Sequence, residues 1–106
     1  MKPGYIYIMG SPTGVLYIGV TSEIHDRVHQ HKTGAFEGFS KHYNCTRLLY
    51  YEVHESINQS IAREKQLKGW RREKKLNLIR ALNPEFKDLA AHWDWKFITA
   101  HEKMNP

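Results

Sequence analysis

Two apolar runs near the N-terminus predict a β-hairpin. Residues 5–9 and 15–19 are rich in tyrosine and aliphatic side chains, and the five residues between them, Gly, Ser, Pro, Thr and Gly, are strong turn formers. We expect a register that places Tyr7 opposite Tyr17, because residues with a constant sum of positions share one face of an antiparallel pair. The tyrosines should then occupy one face of the sheet and the isoleucines the other.

The chain after the hairpin predicts a helix and then a third strand. Thr21 or Ser22 can cap a helix over residues 23–33. Gly34 is a typical residue for the end of such a helix. A polar loop follows, and residues 47–53 form the next β-rich run.

Two further helices are predicted in the C-terminal half. Ser56 can cap a helix from residue 57 to about residue 70. A second, basic helix follows until Asn83 and Pro84 break it. The predicted order of elements is therefore β-β-α-β-α-α.

After Pro84 the apolar positions fit either helical or alternating spacing, so the structure of the C-terminal tail stays open. We expect one domain over residues 1–90 and a tail or extension over residues 91–106. The aromatic side chains of the tail can pack onto the domain or bury themselves in a homodimer, and they are Trp93, Trp95 and Phe97.

The positive charge of the chain is concentrated in one segment. The formal net charge is +5 with a pI of about 9.4, and residues 63–75 hold seven Lys or Arg against two Glu. Such a segment is either a solvated helix face or a surface that follows the phosphates of a nucleic acid.

Composition also excludes several classes of protein. The lone Cys45 cannot form an internal disulfide, which suits a reducing cytoplasm rather than a secreted scaffold. No apolar run approaches the roughly 20 residues that span a bilayer, and the N-terminus lacks the apolar stretch of a signal peptide. We therefore expect a cytoplasmic protein.

Glu64 is the first candidate for chemistry, because it interrupts the apolar stripe that Ile61 and Leu67 form on the predicted helix. A carboxylate in a buried stripe requires a cation nearby. Two partners remain open at this point: a metal ion, or an ion pair with Arg27 or Arg63.

A second candidate group combines the tyrosines with the first predicted helix. Arg27 and His31 lie one turn apart on that helix, which should lie over the end of the sheet that carries Tyr7 and Tyr17. Phosphodiester cleavage needs a cation near the phosphate, a proton acceptor for water and a charge sink for the leaving oxygen. Taken singly, each tyrosine is also an ordinary half-buried strand residue.

Five short elements of the sequence form one ordered pattern, which covers roughly residues 4–90. They are Tyr5-Ile6-Tyr7, then Leu16-Tyr17-Ile18-Gly19-Val20-Thr21, then Arg27 with His31, then Ala62-Arg63-Glu64-Lys65-Gln66-Leu67-Lys68-Gly69-Trp70, and Asn83-Pro84. This pattern resembles the GIY-YIG nuclease family, specifically its small standalone bacterial branch, and is similar to the N-terminal nuclease domain of the excinuclease C subunit. The resemblance implies an α/β (α+β) fold in which helices flank a three-stranded antiparallel β-sheet.

The resemblance also implies roles for the residues around the hairpin. One of the phenols of Tyr7 and Tyr17 would orient or deprotonate the attacking water. Arg27 would contact the scissile phosphate, and His31 would assist proton transfer. Val20 departs from the pattern, since some relatives have a lysine there.

Two further residues match functional positions of the family. Glu64 would be the sole carboxylate ligand of one divalent ion, Mg²⁺ or Mn²⁺. Asn83 would help to hold the site together. Because Val20 removes a positive charge, either His31 or Lys41 would have to supply the assisting charge.

These expectations favour a divalent-metal-dependent endonuclease that hydrolyses phosphodiester bonds in DNA, selective for DNA structure and linked to repair or recombination. A catalytically silent nucleic-acid-binding or protein-interaction module of the same fold is the alternative, and RNA is an open alternative substrate. The basic segment would hold the phosphates through Lys65, Lys68, Arg71, Arg72, Lys74 and Lys75.

Overall fold

The computed structural model describes residues 2–93 and has the expected α+β architecture. Three strands, β1 (Gly4–Gly10), β2 (Leu16–Thr21) and β3 (Arg47–His54), form one antiparallel sheet in the order β2-β1-β3. The central strand β1 is covered on both faces, and its residues Ile6 to Met9 have no exposed surface.

The register of the hairpin differs from the prediction by two residues. Tyr7 lies opposite Gly19, and Met9 lies opposite Tyr17. The physical reason is steric: a Cβ atom at Gly19 would lie 2.3 Å from the hydroxyl oxygen of Tyr7, so the ring occupies space that only glycine leaves open. A shift by two keeps every side chain on its face. Tyr7 and Tyr17 therefore share a face as predicted, with ring centroids 6.3 Å apart.

Within residues 2–93, four helices surround the sheet, one more than the sequence pattern predicts. The additional helix is a single turn inside the segment predicted to be a polar loop. Gly34 ends the first helix in a left-handed conformation, with φ of 77°. The four helices are α1 (Ile24–Thr33), α2 (Phe39–His42), α3 (Ile57–Lys68) and α4 (Arg72–Leu82).

Of the two N-terminal helix caps that the sequence predicts, one is confirmed and the other is wrong. Ser56 caps α3 in a reciprocal capping box with Gln59. Neither Thr21 nor Ser22 caps α1, whose N-cap is Glu23 without a side-chain bond. The Thr21 hydroxyl instead accepts from the Glu23 amide at 2.9 Å, which turns the chain one residue later than predicted.

The sheet separates two apolar clusters. On one face, Ile8, Leu67 and Ile79 bring α3 and α4 onto the sheet. On the other face, Tyr7 packs with Val28 of α1. The predicted division of the strands into a tyrosine face and an isoleucine face is thereby confirmed.

The buried stripe of α3 is rotated from the predicted one. Ser60 and Leu67 are fully buried, whereas Ile61 is 38% exposed. A Cβ atom at Gly4 would lie 2.6 Å from both the Ser60 hydroxyl and the Ile57 Cα atom, so the helix approaches β1 too closely for a side chain at position 4, and Ser60 faces this contact. Glu64 consequently lies at the flank of the buried stripe, where it is partly exposed.

Polar contacts fix the rotation of α3 on the sheet. Arg63 donates from Nε and Nη2 to the carboxylate of Glu52 on β3, at 2.9 to 3.2 Å. One turn earlier, the Ser60 hydroxyl lies 2.7 Å from His54 Nδ1. Arg63 therefore pairs with Glu52 and not with Glu64, which orients the next side chain, Glu64, away from this network.

Residues 83–93 form a series of turns rather than a regular helix, whereas the alternating positions 94–97 lie outside the described residues. Asp88 ties the segment to β3 and α1, since its carboxylate accepts from the Leu48 amide at 3.1 Å and from Lys32. Trp93 packs its ring against His25 of the same chain, with centroids 4.3 Å apart. Trp95 and Phe97 lie outside the described residues, and the homodimer stays a prediction. Within residues 2–93, no helix has the length and apolar character to cross a membrane.

Candidate active site

A buried hydrogen bond between Tyr7 and His31 forms the centre of the candidate site. The Tyr7 hydroxyl lies 2.8 Å from His31 Nε2, and the two side chains come from β1 and α1. His31 is 2% exposed and Tyr7 is fully buried. Because His31 follows Arg27 by one helical turn, both project from the same face of α1 towards the sheet.

The second ring nitrogen of His31 contacts a residue that the sequence did not indicate. Nδ1 lies 2.6 Å from the hydroxyl of Ser40, on the one-turn helix α2. The Ser40 hydroxyl also lies 3.3 Å from the carbonyl oxygen of Cys45. Ser40 is 1% exposed. An isolated serine in a loop carries no sequence signal, because only the tertiary fold brings it to the imidazole.

Aromatic rings enclose the outer side of the site. Tyr17 contacts the rings of His31, Phe36 and Phe39, with centroid distances of 5.1, 6.0 and 6.4 Å. The guanidinium carbon of Arg27 lies 4.8 Å above the ring of Phe36. Two phenylalanines in a segment predicted to be polar were the signal that this loop packs against the site.

Burial keeps the central groups in their neutral forms. It raises the pKa of Tyr7 well above its usual range, an effect that the Tyr17 phenol increases and the Arg27 charge opposes. Burial also lowers the pKa of His31 to about 4, and the positive charge of Arg27 acts in the same direction. At neutral pH the site therefore holds a neutral phenol beside a neutral imidazole.

Glu64 approaches the same site from α3. Its negative charge contributes to a raised pKa of Tyr17, for which burial is the main cause and which Arg27 opposes. The carboxylate lies 3.4 Å from the ammonium of Lys68 in a partly exposed pair, with 22% of the Glu64 side chain accessible. The ion pair expected as one alternative thus forms with Lys68 rather than with Arg27 or Arg63.

The donor atoms at Glu64 suit a hard divalent cation. No three His, Cys, Asp or Glu side chains within residues 2–93 are grouped so as to hold a metal ion. Mg²⁺ does not need such a cage, because it keeps several waters and binds through one or two carboxylates together with substrate phosphates. A single accessible carboxylate beside Tyr17 fits that pattern.

Asn83 and Lys41 are placed away from the hydrogen bonds of this cluster. The Asn83 side chain is buried and bonds to the Leu49 carbonyl and to the backbone of Lys87, so it closes the turn after α4. Lys41 forms an exposed pair with Glu37 at 3.3 Å. Of the two side chains expected to supply the assisting charge, the structure brings His31 and not Lys41 to Tyr7.

The basic segment lies partly beside the site. Tyr17, Phe39, Lys68 and Lys75 line a surface pocket of about 300 Å³. Phe39 and Lys75 also line an adjoining pocket of about 420 Å³ that includes Arg72 and the β1–β2 turn. Lys74 instead stacks its ammonium on Trp70 at 4.2 Å. Lys65 and Arg71 are exposed.

Comparison with known proteins identifies the family of this chain. The GIY-YIG catalytic domain matches residues 3–77, the part of the chain that carries every residue of the cluster. UPF0213 proteins of Staphylococcus aureus, from strains Mu3 and Mu50, are 31% identical over 80 residues, which is 76% of this chain and 98% of each relative.

A solved structure shares the fold. The solution NMR structure of a UPF0213 protein from Bacillus halodurans matches with a TM-score of 0.54 and 21% identity, over 85% of this chain and 97% of that one. The family match covers the sheet, α1, α3 and the tyrosines that name the motif. This chain therefore belongs to the GIY-YIG family of nuclease domains and is related to the small UPF0213 proteins.

Proposed function

We propose that this protein is an endonuclease that hydrolyses phosphodiester bonds in DNA, with one Mg²⁺ or Mn²⁺ ion bound by Glu64. The observation that carries the proposal is the convergence of Tyr7, Tyr17, Arg27 and His31 on one face of the sheet, with Glu64 adjacent. Membership in the GIY-YIG family supports phosphodiester chemistry. The choice of DNA as the substrate rests on the basic helices.

The side chains of the cluster divide the work of hydrolysis. Arg27 binds the scissile phosphate and stabilises the negative charge that its oxygens gain in the transition state. Tyr17, at the accessible edge of the site, orients the attacking water. Tyr7 and His31 form a pair of neutral groups that accepts the proton of that water.

Glu64 supplies the ligand for the cation. The ion, when bound, would neutralise the charge on the leaving oxygen and help to hold the phosphate. Glu64 itself contributes a fixed negative charge on α3, whose rotation the Arg63–Glu52 pair maintains. Lys68 is the counterion in the free protein, and it is free to move to a substrate phosphate because more than half of its side chain is exposed.

The test compares the wild-type protein with Glu64→Gln on supercoiled, branched and single-stranded DNA, and on RNA of the same sequence, with Mg²⁺, Mn²⁺ or a chelator. Cleavage by the wild type should require the metal and fall by at least about a hundredfold in the variant, the usual effect of losing one group that stabilises the transition state. DNA binding should persist, because the substitution removes a negative charge.

The matched control is Glu85→Gln, since Glu85 is exposed and pairs with Lys87 at the surface of the C-terminal segment. It should cut like the wild type. Binding without cleavage by the wild type on every substrate and with either metal would contradict the proposal and favour the silent binding module. Cleavage of RNA alone would retain the nuclease and overturn the choice of DNA.

A further inference from the structure

We propose that Ser40 is a positioning residue of this site, which fixes the His31 imidazole in the tautomer that can take a proton from Tyr7. The inference rests on the proposed nuclease function for its catalytic meaning, but its structural part is independent of it. The hydrogen bonds of Ser40, His31 and Tyr7 form one continuous chain from a backbone carbonyl to the sheet.

The direction of each hydrogen bond in this chain follows from donor counting. The Cys45 carbonyl oxygen can only accept, so the single hydroxyl proton of Ser40 points to it. Ser40 must then accept from His31, which places the imidazole proton on Nδ1. The bare Nε2 atom therefore accepts from the Tyr7 hydroxyl, and all three bonds are satisfied.

The opposite tautomer removes one hydrogen bond from this chain. If Ser40 donated to Nδ1, the Cys45 carbonyl would lose the Ser40 proton. Nε2 would then donate to the Tyr7 oxygen, and the Tyr7 proton would turn to Tyr17, the other phenol that forms a hydrogen bond with Tyr7. An unpaired buried carbonyl is costly, so the first arrangement is favoured.

The backbone around Ser40 holds its hydroxyl in place. The Cys45 amide donates to the Ser40 carbonyl at 2.9 Å, so the two residues are joined by backbone and side-chain bonds. The turn between them passes through Asn44, with φ of 58°. The α2 turn therefore carries a fixed acceptor to the imidazole.

The tautomer determines what Tyr7 can do during hydrolysis. As the bond from the water oxygen to phosphorus forms, the proton of the water passes to the Tyr17 oxygen, the Tyr17 proton passes to the Tyr7 oxygen, and the Tyr7 proton passes to His31 Nε2. The bond from phosphorus to the leaving oxygen breaks, and that oxygen takes a proton from solvent. His31 later releases its proton to solvent. Tyr7 thus acts as a proton relay and never has to exist as a buried anion.

Arg27 links this relay to substrate binding. Its positive charge disfavours a proton on His31 in the free protein. A bound phosphate compensates that charge and makes the imidazole a better base when the substrate is in place.

The first measurement is the ¹⁵N NMR spectrum of the imidazole of His31 in the free wild-type protein at neutral pH. The proton should be on Nδ1, and Ser40→Ala should give a mixture of tautomers. A wild-type proton on Nε2 would overturn the proposal without any enzymatic assay, and this result does not depend on the folding of a variant.

The second measurement is cleavage. Ser40→Ala should lower kcat by about tenfold to a hundredfold, the usual effect of removing the partner of a functional imidazole, with KM unchanged. Ser40→Thr, which keeps the hydroxyl, should restore most of kcat. An unchanged kcat and tautomer in Ser40→Ala would refute the proposal. If the wild type cuts nothing, the nuclease function fails while the NMR result still decides the role of Ser40.

The matched control is Ser60→Ala. Ser60 is also fully buried and its hydroxyl also contacts a histidine, His54 Nδ1, at 2.7 Å. This pair lies on the face of the sheet that α3 covers, opposite the face that carries Tyr7 and His31. Its loss should leave the His31 tautomer unchanged, which separates the effect of the Ser40 hydroxyl from the loss of any buried serine bond.

Discussion

His31 illustrates how a single buried residue couples stability to protonation. Its imidazole is held neutral between the hydroxyls of Tyr7 and Ser40, with the charge of Arg27 nearby. Protonation would give both ring nitrogens a proton, and the bond from Tyr7 would be lost. The folded state therefore binds the proton more weakly than the unfolded chain does.

The pH dependence of unfolding should report this coupling. Between the ordinary pKa of 6.5 and the folded pKa of about 4, the unfolded chain binds a proton that the folded protein does not. The His31 contribution is thus present above this range and is lost as the pH falls through it. The loss should approach about 3 kcal/mol, at roughly 1.4 kcal/mol per pKa unit.

The measurement is chemical denaturation of wild type and His31→Gln at pH 7 and pH 4.5. The wild type should lose more free energy of unfolding than the variant, whose side chain cannot gain a proton. Glu52 and Asp88 have lowered pKa values, although burial opposes the shift, and their acid destabilisation is common to both proteins. Equal losses would show that His31 is not held neutral by the fold.

The sequence identifies a site residue more readily when its side chain is unusual for its position than when its side chain is ordinary there. Glu64 interrupts an apolar series, and Arg27 and His31 share one helical face. Ser40 has no such signal, because its role arises from a helical turn that only tertiary packing creates. Asn83 has a sequence signal next to proline, but its bonds serve the turn after α4.

Among the elements, the β1–β2 hairpin determines the geometry of the site. The hairpin register closes the turn with a bond from the Ser11 amide to the Val15 carbonyl at 2.9 Å. It places Gly19 beside the Tyr7 ring. The sequence pattern predicted which side chains share a face of the sheet, because alternation has a period of two. Alternation does not distinguish two registers that differ by two residues.

Gly19→Ala should therefore disable the site through the hairpin. The added methyl group would overlap the Tyr7 hydroxyl and ring, which must move away from His31. We expect a loss of about 1–3 kcal/mol in the free energy of unfolding, as in other overpacked cores. Cleavage should fall even at temperatures where the variant is folded, because the hydrogen bond from Tyr7 to His31 is broken.

Gly69→Ala is the matched control for this substitution. A Cβ atom there would meet only ordinary contacts, the nearest being the Gln66 carbonyl oxygen at 3.5 Å. The backbone at Gly69 is right-handed, with φ of −80°. Stability should stay the same or rise by about 0.4–1 kcal/mol. A folded Gly19→Ala protein with full activity would contradict the assigned position of Tyr7.

The rotation of α3 shows what the apolar pattern of an element leaves undetermined. The series of isoleucines predicted Ile61 as an inward residue, yet Ser60 takes the buried position. Ser60 faces the close approach of the helix to Gly4, and a contact between distant segments is invisible to helical spacing. Glu64 remained near the predicted face because it is adjacent to the true stripe.

For the whole molecule, the distribution of charge around the site matters more than its sum. The sequence locates the excess charge in residues 63–75, but it treats six of the seven cationic residues there as one surface. The structure divides them. Lys68, Arg72 and Lys75 line the pockets next to Tyr17, and Lys74 covers Trp70. A duplex or strand whose scissile phosphate is near Arg27 would extend along the first three.

Replacing Lys68, Arg72 and Lys75 together by glutamine should weaken DNA binding more than removing three positive charges elsewhere on the surface. Each phosphate contact contributes about 0.9 to the slope of log affinity against log salt for duplex DNA, so the slope should fall by up to about 3. Binding is best measured in the Glu64→Gln background, where no cleavage interferes. The control replaces three exposed lysines that pair with surface glutamates, and they are Lys2, Lys41 and Lys87.

Both triple variants lose three positive charges, so any long-range attraction falls by a similar amount in each. If specific contacts beside the site hold the DNA, the slope falls only in the first variant. Equal decreases in affinity and slope would mean that the nucleic acid responds to the net charge of the molecule. In that case the path of the strand along α3 and α4 would be wrong, while the chemistry assigned to Tyr7, His31 and Glu64 would be unaffected.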